Sequence, residues 1–384
     1  MNKKAVYFPG LNTIRFLAAF MVILSHIEGF KIRFNLPMSN FIHKAKMIEQ
    51  LGRLGVILFF VLSGFLISYL LLVEKETFHT IAIRKFYYRR MLRIWPLYYL
   101  LLFLSLVVFP NTHSMQIPGT DWLTREGITI GVILLSIFFL SNVATIIFPK
   151  IPYFFCTWSL GVEEQFYLIC PFIIKKFKNI SLVLFSIIIF YLLIKVIAFP
   201  FIKFKLHYWN SNMNLLLWIW NDFLIDTMAI GALFAYAYYK KNKVLKFFYN
   251  PIVYTIAYSL IIFIFLKQIN IPYLTNEVFA FLFAILILNV STNYKKAKFF
   301  NLPLFDYLGK ISYGIYMYHT ICIVITIKLM IRFNIYSNSF LYIVCVATTL
   351  GLSMLSYHYF ESYFLTWKNK FTKVKSTNSK LEVQ

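Results

Sequence analysis

The sequence predicts an all-α protein, a polytopic membrane helix bundle of about ten transmembrane helices plus one re-entrant or interfacial segment. Hydrophobic residues make up 60% of the 384-residue chain, and the mean hydropathy is +0.71. Apolar runs of roughly 20 residues, the length that crosses a bilayer core, recur from one end to the other. Short clusters of lysine and arginine punctuate those runs. The formal net charge of +24 is therefore dispersed between apolar segments rather than gathered on one face, which argues for topogenic and lipid-facing cations and against nucleic acid as a partner. No long stretch has soluble-domain composition. Residues 1–365 are expected to form one integral-membrane domain, and 366–384 a basic cytoplasmic tail.

The apolar runs fall at 13–30, 54–73, 94–110, 128–148, 154–174, 180–202, 213–239, 248–268, 274–291, 311–331 and 338–358. The first carries Arg15 and lacks a small-residue cleavage site, so it is expected to stay as a helix and not to be removed as a signal peptide. If every run crossed, with Lys3 and Lys4 inside, the clusters Lys175–Lys178, Lys240–Lys243, Lys295–Lys298 and Lys368–Lys375 would all lie outside, against the positive-inside rule. Removing one crossing between Pro110 and Phe154 returns all four to the cytoplasm. The run 128–148, which follows the polar stretch NTHSMQIPGTDWLTRE, is the one expected to be re-entrant or to lie along the outer face. The chain is then a multi-pass protein of the cytoplasmic (inner) membrane with both end segments inside. The outer loop 31–53 keeps five basic residues, which runs against the same rule. Cys156, Cys170, Cys322 and Cys345 sit in apolar runs without metal-ligand spacing and are read as packing residues.

An ionisable side chain inside a membrane helix is costly unless it is paired or faces a cavity, so each one marks a candidate site. The first helix carries two, Arg15 and His26. Their eleven-residue spacing is about three turns and about 16 Å, so both project from one face at different depths. Loop 84–93, RKFYYRRMLR, offers Arg84, Lys85, Arg89, Arg90 and Arg93 beside Tyr87 and Tyr88. Such a cluster suits either anionic lipid head groups or a phosphate-rich cytosolic ligand. Glu163 and Glu164 are about 100° apart on the helix at 154–174, so one can meet an arginine while the other faces a cavity. Ser63–Gly64 reads as a packing notch before a catalytic serine. His319 is either a hydrogen-bonded core histidine or part of a cavity wall. Asp222 and Asp226, one turn apart, either serve an acceptor pocket or pair with basic neighbours. His43, His79, His113, His207 and His358 fall near interfaces and show no metal spacing.

Five ordered blocks, GLNTIRFLAAFMVILSH, GVILFFVLSGFLI, FYYRRMLRIWPLYYL, TWSLGVEEQFYLICP and LGKISYGIYMYHT, together resemble acyltransferase family 3, integral-membrane enzymes that acylate bacterial surface glycans. The resemblance runs from about Phe8 to about Phe364. It implies that Arg15 and His26 are the signature pair of the first helix, that Arg89, Arg90 and Arg93 form the arginine-rich start of the third, and that Trp158, Ser159, Glu163 and Glu164 form the tryptophan-to-glutamate block. The second block commonly has an acidic residue after Gly-Val, where this chain has Ile57.

What the resemblance implies is an O-acyltransferase with no bound cofactor and no metal, using acyl-CoA, chiefly acetyl-CoA, as co-substrate and a carbohydrate hydroxyl as acceptor. His26, Arg15 and Glu163 are then the catalytic candidates. Arg89, Arg90 and Arg93 would hold the donor, and Trp158, Glu164, Ser63 and His319 would line the substrate site. His26 can act as a general base or as a nucleophile that becomes a transient acyl-imidazole. The competing class is a transporter or flippase of a glycan or lipid-linked precursor, because intramembrane charges also mark transport paths. The sequence has no pair of matching half-chain repeats to favour it.

Overall fold

The computed structural model describes residues 5–38, 45–119, 129–198, 200, 220–293, 302–372, 375 and 376. Helices account for nearly all of them, as lipid demands: a spanning backbone must satisfy its own polar groups, and a helix does so within one segment. In chain order the α-helices are α1 (Leu11–Arg33), α2 (Ala45–Phe78), α3 (Ile83–Phe103), α4 (Ile130–Ile137), α5 (Ser141–Ile147), α6 (Trp158–Lys176), α7 (Ile180–Leu193), α8 (Ile225–Tyr239), α9 (Leu245–Phe248), α10 (Pro251–Lys267), α11 (Thr275–Thr292), α12 (Pro303–Lys310), α13 (Ser312–Arg332), α14 (Asn338–Ser356) and α15 (Ser362–Lys370). Their ends follow ordinary capping chemistry. Asn250 accepts from the Ile252 amide ahead of Pro251 at the start of α10, and Ser337 accepts from the Phe340 amide at the start of α14. Asn35 takes a left-handed φ of 54° just past α1.

Among the described residues, 7 helical spans are long and apolar enough to cross a membrane, and Pro251–Lys267 is a shorter apolar one. The remaining two expected crossings, 154–174 and 213–239, fall on α6 and, in the described part, on α8, neither of which is among those spans. The run at 128–148 divides into α4 and α5, of 8 and 7 residues, around Phe139 with its left-handed φ of 59°. Each rises only about 11–12 Å, far short of a bilayer core of about 30 Å. The segment therefore does not cross as one straight helix.

Two boundaries differ from the sequence reading. The basic stretch 84–93 is not a loop, because α3 begins at Ile83 and runs through it. The outer loop 31–53 is shorter than expected, because α2 is already helical from Ala45. In both places charged residues carry a helix beyond its apolar part, where hydropathy does not register it. His43, His207 and the Lys295–Lys298 cluster lie outside the described residues.

The long helix α2 packs against α1, α6, α8 and α11. Its closest partner is α8, through two facing glycines. A Cβ on Gly64 would stand 2.0 Å from the Met228 carbonyl oxygen, and one on Gly231 would stand 2.1 Å from that of Val61. Only hydrogens at both positions let the backbones meet, the small-residue packing of membrane helices. At the other end of α2, Arg53 pairs with Asp222 at 3.0 Å. Asp226, fully buried, pairs with Lys195 at 3.6 Å, and the same lysine also pairs with Glu277. Both aspartates thus meet basic neighbours. All four cysteines are free and buried. A two-residue parallel ladder joins Ala5–Val6 to Lys375–Ser376, which brings the two end segments side by side.

Candidate active site

A cavity of about 100 Å³ opens where α1, α2, α3, α6 and α13 converge. It is lined by Arg15 from α1, Ser63 from α2, Arg90 and Arg93 from α3, Glu163 and Tyr167 from α6, and Tyr313 and Tyr316 from α13. Local sequence explains the convergence. Arg90 and Arg93 are three residues apart and share one helix face, whereas Arg89 is turned about 100° away.

The cations here are unusually open. Arg15 donates from Nη1 to Asn12 Oδ1 at 2.9 Å, and Asn12 is held by Asp306 at 2.8 Å. This anchor reaches Arg15 through α12, while Ile57 on α2 is simply packed in the core at 1% exposure. Arg90 lies over the rings of Tyr167 and Phe86 at 5.5 and 5.7 Å, and its Nε is buried without an acceptor. Among the described residues, no carboxylate comes within ion-pair distance of Arg15, Arg90 or Arg93. Glu163 accepts instead from the Ser63 hydroxyl at 2.7 Å. Half-buried guanidinium groups with spare donors form a seat for an oxyanion that several forks can share.

His26 stands apart from this cavity, further along α1. Its ring lies against that of His319, with Nδ1 and Nε2 2.6 Å apart, and Phe155 packs edge-on at 5.2 Å. His319, fully buried on α13, has its Nδ1 2.6 Å from the Tyr316 carbonyl oxygen. Valence then fixes both rings when they are neutral. A carbonyl can only accept, so His319 carries its proton on Nδ1 and offers a lone pair at Nε2. His26 must donate from Nδ1 to that lone pair, which leaves its own Nε2 unprotonated and basic. Tyr316 joins the two regions. Its side chain lines the cavity, its hydroxyl donates to the Cys156 carbonyl at 2.7 Å and meets Ser159 Oγ at 2.7 Å, and its carbonyl holds His319.

Of the residues singled out from sequence, the cavity gathers Arg15, Ser63, Arg90, Arg93 and Glu163, and the second cluster gathers His26 and His319. Three stand elsewhere. Arg89 pairs with Glu74 at 3.2 Å and donates to the Phe371 carbonyl at 3.0 Å. Trp158 packs edge-on against Phe60 at 6.3 Å. Glu164 keeps a buried Oε1 with no partner, outside the cavity lining. Tyr167, Tyr313, Tyr316 and Asn12 were not anticipated. The available signal was spacing: Tyr167 is one turn beyond Glu163, and Tyr316 three residues before His319.

Comparison with known proteins adds a family-scale result. A family model described as an acyltransferase domain matches residues 8–358. A Staphylococcus aureus (strain MRSA252) protein named "Putative O-acetyltransferase" is 26% identical over 402 residues, covering 96% of this chain and 60% of its own length. The O-acetyltransferase OatA of Staphylococcus aureus (strain NCTC 8325 / PS 47) is 26% identical over 381 residues, covering 93% of this chain and 57% of its own. A Bacillus subtilis (strain 168) protein named "Putative peptidoglycan O-acetyltransferase" is 33% identical over 174 residues, covering 43% of this chain and 23% of its own. The chain thus spans about three fifths of the length of the Staphylococcus relatives it matches. No solved structure matches.

Proposed function

Because this chain belongs to the acyltransferase family whose model spans residues 8–358, we propose that it moves an acetyl group from cytosolic acetyl-CoA to a hydroxyl of a cell-surface or lipid-linked glycan. The observation that carries this reading is the division of the interior into two parts that Tyr316 links. One is a cavity with three half-buried arginines that lack an anionic partner among the described residues. The other is a histidine whose hydrogen bonds leave Nε2 as the basic atom. In this reading the donor phosphates rest on Arg90 and Arg93 at the cytoplasmic face of the inner membrane. The thioester arm extends past Arg15 and Tyr316 toward His26, and the acceptor arrives from the outer side. Arg89, held by Glu74, orders the helix that carries the phosphate seat.

The chemistry follows from the tautomers. The acceptor hydroxyl gives its proton to His26 Nε2 as its oxygen forms a bond to the thioester carbonyl carbon. The carbon–sulfur bond then breaks, and the departing CoA thiolate takes a proton back. The imidazolium formed at His26 is stabilised through Nδ1–H by His319, which can itself accept that proton at Nε2. An acyl-imidazole route would use the same free Nε2 as nucleophile. Ser63 and Glu163 line the cavity, with Glu163 near the arginines, where it balances their charge when no donor is bound. Trp158, at the start of α6, flanks the acceptor side in this proposal, and Glu164, near Arg90, the donor side.

The test is transfer itself. Purified protein given acetyl-CoA and a glycan acceptor should release CoA and add one acetyl mass to the glycan. His26→Ala should lower the rate by about 10²–10⁴-fold, the usual worth of a positioned acid–base group. Near-normal transfer by folded His26→Ala protein would remove His26 from the reaction. A transporter would leave the thioester intact.

A further inference from the structure

We propose that Lys368, on the C-terminal helix α15, supplies a further cation to the phosphate seat of the acyl donor, so that α15 is part of the donor site. The proposal rests on the donor reading above. By sequence alone Lys368 is one of several basic residues in a tail that marks topology. The structure gives it a different setting. Helix α14 passes through a π-helical turn at Tyr357–Glu361 into α15, which packs along α3, the helix that carries the arginines. Two contacts hold the end of α15 there. Arg89 Nη1 donates to the Phe371 carbonyl at 3.0 Å, and the Tyr88 ring stacks on Phe371 at 5.2 Å. Lys368 lies three residues before Phe371, whose amide donates back to the Lys368 carbonyl at 3.1 Å.

Lys368 is half-buried, and it feels the charges of Arg93, Arg90, Arg15 and Arg89. Of these, Arg89 alone has a carboxylate partner among the described residues, Glu74. Glu163, Glu164 and Glu361 are also near the arginines. None of the three closes an ion pair with Arg15, Arg90, Arg93 or Lys368 among the described residues. Folding has gathered like charges that repel one another, a cost that a bound polyanion relieves. The acceptor-less buried Nε of Arg90 is an independent sign of a missing oxyanion in the same place. A ligand with several phosphates, as the nucleotide end of CoA has, fits a seat of two arginine forks and one lysine, the lysine acting as a point charge.

The experiment compares acetyl-CoA affinity, by calorimetry in one neutral detergent, for wild type, Lys368→Gln, Lys368→Met, Lys368→Arg, Lys370→Gln and the double variant Arg90→Gln/Arg93→Gln. Lys370 is exposed over the Trp367 ring at 5.5 Å and serves as the charge-matched control on the same helix. Lys368→Gln and Lys368→Met should weaken binding roughly tenfold or more, the worth of one charge-assisted contact. Lys368→Arg should keep most of the affinity, and Lys370→Gln should match wild type. Unchanged binding in Lys368→Gln or Lys368→Met, with weakened binding in the double variant, would overturn the role of Lys368 and leave the donor site standing. Equal losses in Lys368→Gln and Lys370→Gln would reduce the effect to general charge and also overturn it. Wild-type protein that does not bind acetyl-CoA would remove the donor reading and this proposal together.

Discussion

The backbone carbonyl of Tyr316 decides which nitrogen of His26 is basic, because it fixes His319 and His319 fixes His26. Breaking that chain has a specific expected outcome. His319→Ala should lower kcat by roughly ten- to hundredfold, as loss of an orienting partner does for other functional imidazoles, with little change in KM for acetyl-CoA, since His319 does not line the arginine cavity. His319→Gln, which can accept and donate from one amide, should recover part of the loss. A purely structural role would instead lower thermal stability in both variants and leave the kcat of surviving protein intact. Arg15 and His26 were legible in the sequence because a charged or titratable side chain stands out in an apolar helix. The partnership with His319 was not, since the two are 293 positions apart and only the packing of α13 on α1 brings them together. The arginines show the same limit from another side. All three read alike in sequence, and helical phase separated them, sending Arg89 to Glu74 and leaving Arg90 and Arg93 on the cavity face.

At the scale of elements, the Gly64 and Gly231 notches hold α2 against α8. Either Gly64→Ala or Gly231→Ala would drive a methyl group into a backbone carbonyl, and each should cost about 1–3 kcal/mol as an overpacked contact. Gly29→Ala is the control, because a Cβ there meets nothing within 4 Å. Thermal unfolding in detergent measures the difference, and equal midpoints for all three variants would show that the helices separate without penalty. Sequence reading located the helices well because the 20-residue apolar period is imposed by lipid. It misjudged ends where lipid is not the constraint. The first turns of α2 contain Lys46, Glu49 and Arg53 and are helical all the same. The basic stretch at the head of α3 is helical for the same reason: a helix continues into water when its side chains are good helix formers. Charge placement led only to the expectation that the run at 128–148 is re-entrant or interfacial, and the structure adds a break between α4 and α5 at Phe139.

For the molecule as a whole, the ladder between Ala5–Val6 and Lys375–Ser376 sets both end segments on one face, which requires an even number of crossings. This agrees with the proposed placement of both ends in the cytoplasm. In a background lacking the four native cysteines, single cysteines at Phe177, Asn242 and Asn293 should resist a membrane-impermeant thiol reagent added from outside, and one at Gln268 should react. Strong outside labelling at Phe177 would reverse the placement of every helix from α6 onward. The length of α2 carries one more consequence. Its 34 residues rise about 51 Å, some 20 Å more than the hydrocarbon thickness of a typical bilayer. A rod that long tilts in a thick membrane and stands clear of a thin one. Yet the spacing along α2 from the Arg53–Asp222 pair to Ser63 in the cavity wall is fixed by the helix itself. The depth at which the cavity lies below the molecule's outer rim is therefore a property of the protein, unaffected by changes in the surrounding lipid.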